Sequence, residues 1–402
     1  MRLFLLAAAL LGALTQAAVA AQTPSGHSTP DPSPTAYEQL LARYAGGDFD
    51  SVAGEVASQP ANGFAAALEK VRDRAAATVA RQALLLRDHA IPPTTLDRAV
   101  DDQLRLLLSA MLLHVEAALQ ATNASENGRD DWVEGHLKAG IRAGEAFETA
   151  SRYISLPQTT AGCLSRPDAH RILHDWSVLT VAVMHARSHL GGLPAFVIEA
   201  LARDPKDPDL SLGLGVYYER AAGGAILDES LMRDIYPASA VTLWRHTMEV
   251  ALSWLSLARA NAAWAPETHL RAGRIEQLLG ESKAARAELE PLLEPSAHPT
   301  PAIRYLALML AGRLDQADKQ AARAATRYQA ALDLFPSAQA AMLAMSQLHD
   351  QSGAGSDAVT WLNRSFGSAH LPVRRDPWWA YGNGPLWDTS PLLPALRKEL
   401  RR

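Results

Sequence analysis

Downstream of Pro93 the apolar residues fall at Leu96, Val100, Leu104, Leu107, Met111, Val115 and Leu119. Steps of three and four, held for roughly six turns at 3.6 residues per turn, describe one face of a single α-helix. A strand, whose side chains change face at every residue, cannot use that pattern. The signature returns at Val241, Trp244, Met248, Leu252, Leu255 and Ala258, and no stretch shows two-residue alternation bounded by turn signals. Most of the 24 prolines and 25 glycines fall between the periodic segments, as at Ile91-Pro92-Pro93, Gly191-Gly192, Asp204-Pro205 and Gly353 to Gly355. There they end helices rather than interrupt them. An all-α chain is expected.

Small residues recur inside these helices at regular places. Asp207-Pro208-Asp209-Leu210 opens a helix that continues as Leu214-Gly215-x-x-Tyr218, and Leu193, Val197, Ala200 and Pro205 precede it. Gly273 and Gly280 are followed by Ala285 and Leu289; Ala324, Tyr328, Ala331 and Pro336 come next, at spacings of four, three and five. Ala341 to Leu348 and Ala358 to Phe366 read as a further pair, with a turn lengthened around Gly353. Tyr37 to Tyr44, Gly46-Gly47-Asp48-Phe49 and Val52 to Val56 read as a degenerate pair near the N-terminus. Helices pack closely where one offers Gly or Ala to a larger side chain of the other, and Pro stops the second helix because it cannot continue the ladder.

Residues 190–366 thereby resemble the tetratricopeptide-repeat (TPR) family, here of the exported bacterial kind. Leu214-Gly215-x-x-Tyr218 is similar to that family's first helix, and Ala324, Tyr328, Ala331 and Pro336 to its second. Leu193 and Val197 depart from the pattern, standing where a small and an aromatic residue belong. The resemblance covers about half of the chain and implies an α-solenoid of stacked TPR-like helix–turn–helix pairs. Residues 36–189 are expected to be an N-terminal helical region of degenerate repeats.

The chain opens with Arg2, an apolar run from Leu3 to Leu14 and the small-x-small triplet Ala18-Val19-Ala20. These are the parts of a secretory signal peptide over residues 1–20, cut before Ala21, so a periplasmic or secreted location is expected. Residues 21–35, rich in Pro and Ser, read as a linker. The single Cys163 makes no internal disulfide, which leaves burial of apolar surface to hold the fold. With 38 Lys and Arg against 43 Asp and Glu, a formal net charge of −5, the chain lacks the basic clusters that nucleic acid or an anionic membrane requires. Neither nucleic acid nor stable membrane insertion is expected.

Two clusters bear on chemistry. His170, His174, His185 and His189 fall within roughly 100° of one helical face at 3.6 residues per turn. Two His at i, i+4 are a zinc-site spacing, and Asp175 and Cys163 are close in sequence. The two pairs are about 16 Å apart at 1.5 Å per residue, too far to share a metal. Ile172, Trp176, Leu179, Val183 and Leu190 take the opposite face, so the stripe reads as the polar side of an amphipathic helix, with metal binding as the alternative. The tail, residues 367–402, carries Asp376-Pro377-Trp378-Trp379-x-Tyr381 and Leu392-Leu393-x-x-Leu396-Arg397, which resembles a tail of exported bacterial repeat proteins. A C-terminal cap over the last repeat is expected, with a ligand platform of Trp378, Trp379, Tyr381 and Trp387 as the alternative.

The sequence holds no His-Glu-x-x-His, Cys-x-x-Cys, Gly-x-Ser-x-Gly or Walker-type loop. Gly280-Glu281-Ser282 is similar to the Glu-Ser of helical lytic transglycosylases but fills a repeat turn, and Asp101-Asp102 and Asp130-Asp131 read as solvated helix-start acids. No residue is assigned as catalytic, cofactor-binding or metal-binding. The function expected is a non-catalytic scaffold that takes a protein or peptide partner on its concave face. Metal-binding and glycan-binding or glycan-cleaving proteins are the alternatives.

Overall fold

The structure, a computed structural model, describes residues 34–87, 93–124, 130–152, 163–184, 193–222, 233–294, 296–367, 376–381, 386 and 391–401. The expected signal peptide, most of the 21–35 linker, His185, His189 and Trp387 lie outside the described residues. All regular structure among the described residues is helical. The chain forms two compact units, Met1–Pro205 with Thr389–Arg402, and Lys206–Asp388. The contact boundary falls at residue 205, and the 367–402 tail is divided between the two units.

The first unit holds α1 (Pro34–Ala45), α2 (Phe49–Ala57), α3 (Asn62–Arg87), α4 (Pro93–Ala124), α5 (Asp130–Ser151), α6 (Arg166–Met184) and α7 (Ala195–Arg203). α4 is its axle, touching α1, α2, α3 and α5. Residues 107–118 are buried without a break, as expected of a largely apolar helix surrounded by others, with Ser109, His114 and Glu116 buried among them. Its Arg98–Ala121 stretch has the length and composition of a membrane span, but 78% of the tested window is buried inside the protein. The α1–α2 pair forms as expected, turning at Gly47 with φ 107°.

The acids expected to start helices divide. Asp130 does begin α5. Asp101 instead sits in the third turn of α4, buried, where its carboxylate accepts from the Leu164 backbone N at 2.7 Å and from Arg105 Nε at 2.6 Å. It ties the strand of chain entering α6 to α4, a tertiary role that local sequence does not announce.

The second unit consists of α8 (Pro208–Ala221), α9 (Ala238–Ala258), α10 (Ala265–Leu278), α11 (Ser282–Leu293), α12 (Pro301–Ala317), α13 (Ala321–Leu334), α14 (Gln339–Gln351), α15 (Gly355–Gly367) and the short α16 (Pro377–Tyr381). α8–α9, α10–α11, α12–α13 and α14–α15 pack as pairs. Each of α9, α11 and α13 also touches the first helix of the next pair, while α8 meets α10 and α10 meets α12. α7, bearing Val197 and Ala200, packs on α6 and α5 in the first unit. The chain ends in α17 (Leu392–Leu400), which lies on α4 and α6.

The pairs are close because small residues sit at the crossings. A Cβ on Gly215 would lie 2.7 Å from Leu255, one on Gly273 2.8 Å from Leu289, and one on Gly312 2.5 Å from Tyr328. Seven residues after the second and third of these, the chain turns in the left-handed region, at Gly280 (φ 81°) and Lys319 (φ 60°). Gly353 (φ 78°) does the same seven residues after Ser346, whose hydroxyl donates to the Ala358 carbonyl at 2.8 Å. The following amides reach back to Glu276, Asp315 and His349 carbonyls at 2.8, 2.8 and 2.9 Å, so three turns close by one Schellman motif.

Candidate binding face

The first helices of the second unit carry an unusual charge cluster on one face. Glu219 comes from the last turn of α8, Glu267, Arg271 and Arg274 from α10, and Arg313 from α12. Arg274 and Arg313 each follow a crossing glycine, Gly273 and Gly312, so the same helix geometry that buries the glycine turns the arginine to this face. Arg271 is only 2% exposed. Its Nε donates to Glu267 at 2.8 Å, one turn back on α10, and its Nη1 donates to Glu219 on α8 at 2.7 Å. Burial opposes the guanidinium's charge, but the attraction of Tyr381, Glu267 and Glu219 outweighs it and holds its pKa above the ordinary arginine value. Ion pairs this dry are stable only when the remaining polar atoms are also satisfied.

What satisfies them is the C-terminal segment of the same unit. The Tyr381 hydroxyl donates to Glu219 at 2.6 Å, and the Leu386 backbone N donates to Glu267 at 2.8 Å. The Tyr381 ring lies against the Arg271 and Arg274 guanidinium carbons, 4.7 and 4.8 Å from its centroid. The Trp378 ring takes Arg274 and Arg313, each at 5.5 Å. Rings under cations at these distances are attracted through their quadrupole. Burial, then the charge of Glu219, pushes the Tyr381 phenol well above its ordinary pKa, so it stays a neutral donor.

Asp376 anchors the start of the segment. It accepts from the Tyr305 hydroxyl on α12 at 3.0 Å and from the Ala340 backbone N, in the first turn of α14, at 2.8 Å. It also accepts from the Trp378 backbone N at 2.9 Å, which starts α16. A carboxylate on the first-turn amides of a 13-residue helix is favoured by both unsatisfied donors and helix dipole. Its described polar and ring contacts thus fall on α8, α10, α12 and the start of α14, the first helices of all four pairs.

Of the tail aromatics, Tyr381 is buried, Trp378 half-buried and Trp379 40% exposed. Trp378 and Tyr381 lie against Arg271, Arg274 and Arg313 of α10 and α12. On α15 the stripe Val359, Leu362 and Phe366 remains exposed. Sequence reasoning singled out the rings but missed Glu219, Glu267, Arg271, Arg274 and Arg313. The repeated Gly-Arg at 273–274 and 312–313 was the one signal that pointed to them.

The histidine stripe is only partly described. On α6, His170 is exposed, and His174 is half-buried with its Nδ1 3.0 Å from Asp175. Ile172, Trp176 and Leu179 form the buried face opposite, as the periodicity implies. Glu281 is exposed in the α10–α11 turn beside Arg245. Among the described residues no three His, Cys, Asp or Glu side chains converge as a metal site would require.

A histidine pair that the sequence reading did not select lies in the core of the first unit. His114 and His136 stack with Nδ1 atoms 3.1 Å apart. Tyr37 Oη is 2.9 Å from His114 Nε2, and His136 Nε2 is 3.1 Å from the Gln59 carbonyl. A carbonyl only accepts, so His136 carries its proton on Nε2, His114 donates from Nδ1, and Tyr37 donates to His114. One arrangement of three protons satisfies every atom with both rings neutral. Comparison with known proteins adds nothing to this geometry: no family model matches the chain, and no curated protein sequence matches it.

Proposed function

We propose that the second unit is a TPR-like α-solenoid that serves as a non-catalytic, peptide-binding scaffold, and that the first-helix face is its contact surface. The observation that carries this reading is the stretch 376–381 itself, together with Leu386. A short stretch of chain is already held on that face by a carboxylate on a helix N-terminus, by ring–guanidinium contacts and by a backbone amide. Those are the means by which such surfaces take extended or helical peptides. The contacts of α8 with α10 and of α10 with α12, and of each second helix with the next pair's first, fit stacked repeats. The signal-like residues 1–20 support a periplasmic or secreted location for the activity.

Affinity capture from an envelope extract of the native host, with full-length protein beside its Arg313→Glu variant, tests the scaffold. A partner recovered by the first and lost by the second supports it. Recovery of the same proteins by both places the contact elsewhere. Mass spectrometry of the protein from the host tests the location, with a mature N-terminus expected at Ala21.

A further inference from the structure

We infer that residues 376–381 are an internal ligand of the first-helix face, and that the external partner is a peptide of the same chemistry: an acidic residue followed two and five positions later by aromatic residues. The inference rests on the peptide-binding reading and names the kind of peptide. Asp376, Trp378 and Tyr381 have that spacing, and each meets a separate recognition device. The carboxylate is read by Tyr305 and the first turn of α14. The first ring is read by Arg274 and Arg313, and the second, with its hydroxyl, by Arg271, Arg274 and Glu219.

The covered surface is mixed, and its ionic part eases exchange. Tyr381 joins the apolar core of the unit, with Trp378 and Leu386 packed against it, and uncovering those side chains is costly. The segment also covers Glu219, Glu267, Arg271 and Arg274, all at most 5% exposed. Buried ions regain hydration when uncovered, which offsets much of the loss of their mutual contacts. A second peptide offering one carboxylate and two rings replaces the contacts made by Asp376, Trp378 and Tyr381. A tethered occupant competes at an effective concentration that reaches the millimolar range for short linkers, so the intact chain is expected to bind such a partner weakly until the segment gives way. The apparent affinity is reduced by the fraction of molecules whose face is free.

The test uses full-length protein, its Asp376→Ala/Trp378→Ala/Tyr381→Ala variant, and a fluorescein-labelled synthetic peptide of residues 374–388, followed by anisotropy. The triple variant is expected to bind the peptide at least about tenfold more tightly than the parent, in line with a face that is free less than about a tenth of the time in the parent. Adding Arg274→Glu to the variant should abolish binding, as should replacing the peptide's aspartate and tryptophans by alanine. Tyr381→Phe keeps the ring and loses one hydrogen bond, so it should fall between parent and triple variant. Equal binding by parent and variants, or none by either at unchanged helicity, overturns the inference. If the triple variant loses helicity, the Tyr381→Phe protein decides, and no gain over the parent overturns it. The scaffold reading fails separately: it falls if the peptide exchanges but no Arg313-dependent partner is captured, and it survives if such a partner is captured while the peptide does not bind.

Discussion

Lys319 occupies in the α12–α13 turn the left-handed backbone position that Gly280 occupies in the α10–α11 turn. The two φ angles are 60° and 81°, and both turns close with the same pair of backwards hydrogen bonds. For an L-residue with a Cβ this conformation costs roughly 1–2 kcal/mol, a cost glycine does not carry. Lys319→Gly is therefore expected to raise stability by about 1 kcal/mol, and Gly280→Ala to lower it by a similar amount. No neighbour lies within 4 Å of a Cβ at Gly280, so any loss there comes from backbone conformation alone. Urea denaturation of the two variants checks the pair, and a stabilised Gly280→Ala protein would show the turn to be misassigned.

The crossing glycines should behave in the opposite way, failing for lack of space. A Cβ on Gly215 or Gly312 meets Leu255 or Tyr328 below 3.0 Å. Gly215→Leu and Gly312→Leu are each expected to cost about 1–3 kcal/mol by overpacking. Ala331, fully buried on α13, should respond to Leu in the same way. Gly355, at the start of α15 with open space around it, is the control, and Gly355→Ala should leave the melting temperature unchanged or slightly higher. Thermal melts in which the Leu variants match the parent would remove the helix-crossing account.

These two sets of positions mark what local sequence can reveal. A helix pair announces itself through period, a small residue and a turn residue, all within the roughly 33–47 residues of a common helical repeat. The cluster around Arg271 does not, because its partners Glu219 and Tyr381 stand 52 residues before it and 162 residues apart from each other. The tail rings were visible as a motif, but only the fold shows that they lie on α8, α10 and α12. His114 was hidden for a different reason. It interrupts the apolar run of α4 with a polar residue whose partners, Tyr37 and His136, lie 77 and 22 residues away.

Arg271 offers a test of the cluster that needs no partner. Arg271→Met keeps much of the side-chain volume and leaves Glu219 and Glu267 buried without their shared cation. Removing one member of a buried ion network costs about 3–5 kcal/mol. The triple change Glu219→Gln/Glu267→Gln/Arg271→Met removes both stranded charges and should recover part of that loss. Chemical denaturation of the single and triple variants measures the difference. A single variant as stable as the parent would mean that the cluster is hydrated in solution.

The histidine pair should make the first unit sensitive to mild acid. Burial, and for His114 the neighbouring His136, lowers both pKa values below the ordinary 6.5; for His136 the carbonyls of Gln59 and Val56 offset this only in part. The sign follows from linkage. Folded imidazoles with depressed pKa values resist protons that the unfolded chain accepts from about pH 6.5 downwards. Below that pH the unfolded state binds more protons and gains on the folded one. The contribution is thus fully present above the unfolded value and is lost as pH falls towards the depressed folded values. Chemistry agrees with the sign, since a proton added to either ring turns an accepting nitrogen into a donor. It sets N–H against N–H between the rings, or N–H against O–H at Tyr37 unless that hydroxyl turns away. Stability measured by denaturant titration should be flat between pH 8 and about 7 and fall from about pH 6.5 to 5. The fall should be smaller in His136→Gln, which keeps an amide donor for Gln59 and has no titrating group. An identical slope in parent and variant would assign the acid sensitivity to other groups.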